Sequence, residues 1–257
     1  MLTASDMLRA WERGEGRSQI ERAVLLLECG RASLGDRAAA DPWSLPIGTR
    51  DGLLLLLRER TFGPSLRGHA LCPACGQKLG FSADTRALRV PPERLPAPAA
   101  PAAPAALHQL RCDGWELGFR LLTSRDLQRA AALRHPEAAR DELLRCCLLA
   151  VRHDGAALPP GERPLLPPAV TSRLLAALAE HDPQAEVLLS LSCPACGHAF
   201  ATGFHIASFF FAEVAAQAQR LLDEVSTLAR AFGWREADIL ELSPLRRRHY
   251  LDRVGHG

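Results

Sequence analysis

Two copies of one pentapeptide, Cys72-Pro73-Ala74-Cys75-Gly76 and Cys193-Pro194-Ala195-Cys196-Gly197, are the residues in this chain best suited to chemistry. Cys-x-x-Cys spacing lets two thiolates reach one tetrahedral ion at roughly 2.3 Å, and a glycine after the second cysteine supplies the positive φ that such a turn needs. Each copy follows an apolar stretch that predicts a strand and precedes an apolar return strand, so the two read as a repeated unit. Together the pairs complete a four-thiolate site with Cys72, Cys75, Cys193 and Cys196 as metal ligands and structural Zn2+ as the expected ion. A closed site of that kind leaves no coordination position for substrate water, so its expected role is to hold distant segments together. The pairs stand roughly 120 residues apart, which predicts one ribbon-like centre with a large insertion that staples both halves of the chain.

Three other readings of the knuckles stay open in the sequence. A dithiol redox motif needs its first cysteine at a helix N-terminus, whereas here Gly76 and Gly197 interrupt and strands follow. Separate metals, one per knuckle, would draw on His69, His198 or His205. The third is a pair of reduced hairpins that pack without any ion. The other four cysteines read as small core residues, Cys29, Cys146 and Cys147 on predicted helices and Cys112 on a predicted strand.

Composition narrows the function classes. Thirty-one basic side chains stand against 29 acidic ones, with Lys78 the only lysine, so no polyanion-binding field is expected and nucleic acid is an unlikely partner. The first residues carry charge throughout and lack the apolar core of a secretory signal, and no downstream run approaches a membrane span. A soluble cytoplasmic protein with no membrane partner is therefore expected, and in that compartment eight cysteines predict metal ligands or buried thiols, not disulfides. A nucleophile elbow, a phosphate-binding glycine loop, a His-Glu-x-x-His motif and a dinucleotide fingerprint are all missing, so the expectation is a protein without enzymatic activity. His153-Asp154 and His181-Asp182 read as caps or turns, and Arg246-Arg247-Arg248 as a solvated helix face.

The elements that must position the knuckles predict an α+β fold, mostly helical, with β-hairpins forming a zinc-ribbon-like centre. Residues 1–89 read as a helical region ending in the first knuckle, 90–106 as an Ala/Pro-rich linker, and 107–257 as a hairpin, helices, the second knuckle and C-terminal helices. Ser18 with Glu21 predicts a capping box, and Thr49 a cap for a helix through Leu57. Asp113-Gly114 predicts a two-residue hairpin turn between alternating strands. Helices are predicted from Thr123-Ser124, from about Glu137 to Ala150, and from about Ala169 to Glu180. A long helix should run from near Ser208 to Phe232, with shorter ones from Glu236 and Ser243-Pro244. Of the run Phe209-Phe210-Phe211, not all three side chains can point inward, which leaves one for a partner protein.

A series of blocks along the chain resembles the T-even-phage-type baseplate hub assembly chaperones of phage tails and extracellular contractile injection systems. The blocks are Trp11-Glu12-Arg13-Gly14 with Arg22-Ala23, Arg50-Asp51 through Leu57-Arg58-Glu59, and Phe62-Gly63-Pro64 before the first knuckle. They continue with Thr123-Ser124, Asp126-Leu127, Asp182-Pro183-Gln184-Ala185, the second knuckle with Ile206-Ala207-Ser208-Phe209, and Gly233-Trp234 to Tyr250-Leu251. The resemblance covers nearly the whole chain apart from the linker. It implies a non-enzymatic helper whose partners are baseplate hub or wedge proteins, and it carries over the same four cysteines as ligands. The chain departs from the family pattern at His205, where an acidic residue is expected, and at Phe210-Phe211, where the family has Leu-Trp. Two further expectations stand beside the chaperone: a permanent structural baseplate component, and a zinc-ribbon nucleic-acid-binding or regulatory protein.

Overall fold

The computed structural model describes residues 1–35, 40–91, 107–157 and 165–255. The predicted linker falls almost wholly outside the described residues. Helices α1 (Ala4–Gly14), α2 (Gln19–Cys29), α3 (Arg31–Leu34) and α4 (Ile47–Phe62) come first. The first knuckle hairpin follows, β1 (Ser65–Leu71) and β2 (Lys78–Asp84), closed by the single turn α5 (Thr85–Leu88). Next come β3 (His108–Cys112), β4 (Trp115–Phe119), α6 (Ser124–Ala131), α7 (Pro136–Cys147), β5 (Leu148–His153), β6 (Ala156–Ala157) and α8 (Pro168–His181). The second knuckle hairpin, β7 (Leu188–Ser192) and β8 (Ala199–Gly203), leads into α9 (Ile206–Phe232), α10 (Glu236–Glu241) and α11 (Pro244–Val254). Helix outweighs strand, and the sheets are small and antiparallel, so the α+β class holds. Among the described residues no helix is long and apolar enough to cross a membrane.

The main core forms where α1, α2 and α4 wrap the first half of α9. Leu26, Leu27, Leu54, Leu57 and Phe210 are all buried there, and Phe62 meets Phe210 edge-on at 6.0 Å. Its residues come from both sides of the linker segment. Helix α2 begins with the expected box: Ser18 Oγ accepts from Glu21 N–H, and Glu21 Oε2 accepts from Ser18 N–H at 2.9 Å. Helix α9 ends at Gly233 with φ 67°, a left-handed C-cap that glycine adopts without a Cβ penalty. Phe210 and Phe211 both point inward, because α1, α2 and α4 together surround more than one face of α9. Phe211 also lies under the Arg22 guanidinium, 4.2 Å from the ring centre. Phe209 is the partly exposed one.

A second core packs the meander β3-β4-β5-β6 against α7 and α8 around Leu117, Phe119, Cys147 and Leu174. Both of its sharp turns are Asp-Gly, Asp113-Gly114 (φ 49° and 79°) and Asp154-Gly155 (φ 48° and 80°), the double positive-φ pattern of a tight hairpin. Here the sequence-based expectation needs correction: the helix expected to reach Ala150 stops at Cys147, and Leu148 to His153 pair with β4. His153 ends β5 and Asp154 opens the hairpin turn to β6, so of the two readings of this pair the turn holds. The strand edge of β4 was open to a partner, and pairing overrode a local preference that allowed helix.

Two further expectations change. Helix α4 starts at Ile47 after Pro46 and runs to Phe62, so Thr49 is a buried residue of its first turn, not its cap. Its N-terminus is capped from afar, Gly48 N–H donating to Asp182 Oδ2 at 3.0 Å across 134 residues. Arg247, expected in a solvated face, is buried; its Nε donates to Glu224 at 2.8 Å and its Nη1 to the Leu242 carbonyl.

Candidate metal centre

The two knuckle hairpins are local copies of each other. In the first, Cys72 N–H donates to the Gln77 carbonyl at 3.0 Å and Gly76 N–H to the Cys72 carbonyl at 2.9 Å. In the second, Cys193 N–H donates to the His198 carbonyl and Gly197 N–H to the Cys193 carbonyl, both at 2.9 Å. Gly76 and Gly197 each have φ 72°, which an L side chain rarely adopts, so the fifth residue of the motif is fixed by backbone geometry. The ladders above them also match, Ala70 opposite Leu79 in one and Leu191 opposite Phe200 in the other. Both knuckles lead into strands, which leaves neither first cysteine at a helix N-terminus, the setting a redox dithiol needs.

The hairpins meet tip to tip. Cys72 Sγ lies 3.7 Å from Cys196 Sγ, and Cys75 Sγ lies 3.7 Å from Cys193 Sγ, ties that span 124 and 118 residues. All four sulfurs fall within 4.8 Å of one another. A tetrahedral ion with metal–sulfur bonds of about 2.3 Å requires sulfurs about 3.8 Å apart, so the four residues fit a single metal ion. The first cysteine of each pair is buried and the second exposed, with Leu79 as the third buried member of a small apolar cluster.

Electrostatics points the same way. Backbone N–H groups of Cys196 and Ala195 aimed at Cys193 bring its thiol down to about 7. The Gln77 N–H favours the thiolate of Cys75, yet the sulfurs of Cys196, Cys72 and Cys193 crowd it and push it up to about 12. Four thiolates at this separation repel one another, and a cation at their centre removes that repulsion.

Among the described residues the grouping contains no histidine. His198 stacks on Phe200 with ring centres 6.1 Å apart, His69 is exposed on β1, and His205 precedes α9 with its ring beside Gly203. The remaining cysteines sit apart: Cys112, Cys146 and Cys147 are buried, Cys29 is half-buried, and burial pushes the Cys147 thiol up to about 11.

What the sequence did not reveal is a set of buried polar groups, several of which tie the residues before the linker to those after it. Arg50 donates to Asp51 at 2.7 Å and to Ser124 Oγ at 3.0 Å, while Gln184 accepts from Val90 N–H and donates to the Leu88 carbonyl. Arg58 forks onto Glu213 at 2.9 and 2.6 Å and donates to the Gly63 carbonyl. Arg120 forks onto Asp126, which also accepts from Thr123. Asp126 is thereby held at about 2, the paired charges and hydrogen bonds outweighing burial. Asp182 goes the other way, raised to about 6 by burial, with the Gly48 N–H opposing that rise and Asp51 adding to it. Its Oδ1 leaves no room for a Cβ at Gly48, only 2.0 Å from where one would sit. The ties of Arg50 to Ser124, Arg58 to Glu213, Gln184 to Val90 and Leu88, and Asp182 to Gly48 span 74 to 155 residues and carry no local signal.

The chain matches no family model, no curated protein and no solved structure. Arg50, Arg58, Ser124, Asp126, Asp182, Gln184 and Arg247, all within the blocks singled out in the sequence, are all buried.

Proposed function

We propose that this chain is a non-enzymatic assembly factor for the baseplate hub of a contractile phage tail or injection system. Its four cysteines hold one structural zinc in a ribbon-like centre. The observation that carries the reading is the ordered series of blocks, from Trp11-Glu12-Arg13-Gly14 to Tyr250-Leu251, that resembles the hub assembly chaperones. The buried positions of those block residues support the reading, since Arg50, Arg58, Ser124 and Asp182 are each tied to a partner far along the chain. Zinc is the ion favoured by a closed set of four thiolates, and with every position filled by sulfur it supplies rigidity alone. In this account Cys72, Cys75, Cys193 and Cys196 lock the two hairpins so that surfaces around β1 and α9 keep one shape for an unassembled hub or wedge subunit.

The test is genetic and biochemical. Disrupting the gene in its host should abolish assembled baseplates in electron micrographs, while a tagged chain should capture hub or wedge subunits from lysate. Purified mature particles should lack the protein. Normal particles from the disrupted strain would sink the proposal, and stoichiometric retention in mature particles would make the chain a structural component instead.

A further inference from the structure

A groove of about 630 Å³ lies beside the metal centre without using its ligands. Five consecutive residues of β1, Arg67 to Leu71, line it, with Phe81 alone from β2. It therefore follows the edge of β1 that β2 leaves unpaired, since the two form a sheet of their own. The ladder decides which backbone groups face outward. Thr85 N–H bonds the Pro64 carbonyl at one end and Cys72 N–H bonds the Gln77 carbonyl at the other, both in register with the strand pairs. Alternation along an antiparallel pair then assigns Leu66, Gly68 and Ala70 to β2 and turns the N–H and C=O groups of Arg67, His69 and Leu71 towards the open edge. Among the described residues no other segment hydrogen-bonds to them.

Across from β1 the lining is mostly apolar, Phe204 before α9, Phe209, Ala212 and Ala216 on α9 and Leu189 on β7, with Thr202, Gly203 and Ser208 among them. The rim is basic. Its full positive charge is Arg67, which like His69 has no hydrogen-bond or ion-pair partner among the described residues, and His205 also lines the groove. Glu213 is the one acidic residue lining the groove, and Arg58 already holds both of its oxygens. An unpaired strand edge over an apolar floor accepts a strand, whose period of two sends alternate side chains to floor and rim.

We propose that this groove docks an extended, acidic segment of a partner protein as an added strand on β1, with apolar residues at alternate positions. The inference deepens the assembly-factor reading and rests on it for the partner being an unassembled baseplate subunit.

The test uses the full metal-loaded chain and a fluorescein-labelled peptide of alternating valine and glutamate about ten residues long, beside one of valine and lysine. The acidic peptide should bind and the basic one should not. His69→Pro removes one outward N–H without touching the ladder to β2 and should abolish binding. Ser190→Pro, the matching outward position on β7 and away from the groove, should leave binding unchanged. Arg67→Glu should weaken binding about tenfold. If His69→Pro lost the metal it would report on folding, and Arg67→Glu would then decide. Equal binding by wild type and Arg67→Glu overturns the proposal, as does binding only after removal of residues 92–106, or a dimer that His69→Pro dissolves. Particle assembly in the host separates the two layers. Assembly unaffected by His69→Pro, with peptide binding lost, keeps the groove and removes the assembly role, whereas hub capture by a chain that binds no peptide does the reverse.

Discussion

Around Phe210 the chain buries Leu26, Leu27, Leu54, Leu55 and Leu57 among many other apolar side chains, drawn from the helices and, through Leu66 and Leu189, from the bases of both knuckle hairpins. Around Cys72 and Cys193, among the described residues, the cluster fully buries only Leu79 besides those two cysteines, with Ala70, Leu191 and Phe200 partly buried against it. The first region is a continuous apolar core, whereas the tips of the two short hairpins bury little apolar surface where they meet. The contrast confines what the metal does. A metal held by the four cysteines would join the hairpin tips to each other, and the account predicts that the helices stand without it.

The sharpest attempt to break that comparison is chelation. Removing the metal should strip hydrogen-exchange protection from β1, β2, β7 and β8, while α2, α4 and α9 keep theirs and the far-UV helical signal persists. Collapse of the helical signal in step with metal loss would show that the two regions are one cooperative unit. Phe210→Ala should act on the other side of the divide, lowering global stability by about 3–5 kcal/mol in urea unfolding with metal content unchanged.

Within the helical region Arg58 of α4 is tied to Glu213 of α9, and Arg58→Ala tests the strength of that tie. It leaves Glu213 and the Gly63 carbonyl without their donor, and a loss of about 2–3 kcal/mol is expected, discounted because Glu213 is partly exposed. A loss below about 0.5 kcal/mol would place this pair with ordinary surface ion pairs.

The smallest effect is a pH slope. Asp182 is raised to about 6 from its ordinary 3.8, so its contribution to stability is full below the ordinary value and is lost as pH rises through about 6. Asp126, lowered to about 2, contributes above 3.8 and loses that contribution as pH falls towards 2. Asp182→Asn keeps an acceptor for Gly48 N–H and should remove a fall in stability of about 2 kcal/mol between pH 4 and pH 6. Asp126→Asn should destabilise at pH 7 and have little effect near pH 2. Chemical denaturation across pH would check both, and a slope unchanged by Asp182→Asn would contradict the buried-carboxyl account.

Where a feature depends on neighbours in sequence, it was legible. The knuckle glycines, the Ser18 capping box, the Asp113-Gly114 turn and the Gly233 helix end each follow from a few adjacent residues. The convergence of four cysteines was also legible, because a repeated pentapeptide is a strong signal even across 118 residues. Features that depend on distant partners were hidden. Leu148 to His153 carry no alternation strong enough to exclude helix, and only the free edge of β4 makes them a strand. Asp154-Gly155 carries the same turn signal as Asp113-Gly114, but the helix expected beside it masks that signal. Arg247 looks like one of three equivalent arginines until Glu224 on α9 singles it out, and Asp182 looks local until it reaches Gly48.

The most direct measurement is the zinc content per chain of protein purified without added metal, wild type beside a Cys72→Ser, Cys193→Ser double variant. The account predicts one zinc per wild-type chain and none in the variant, whose hairpins lose protection while its helices remain. Two zincs per wild-type chain, or a metal-free chain with a redox-active dithiol, would contradict the shared four-thiolate centre.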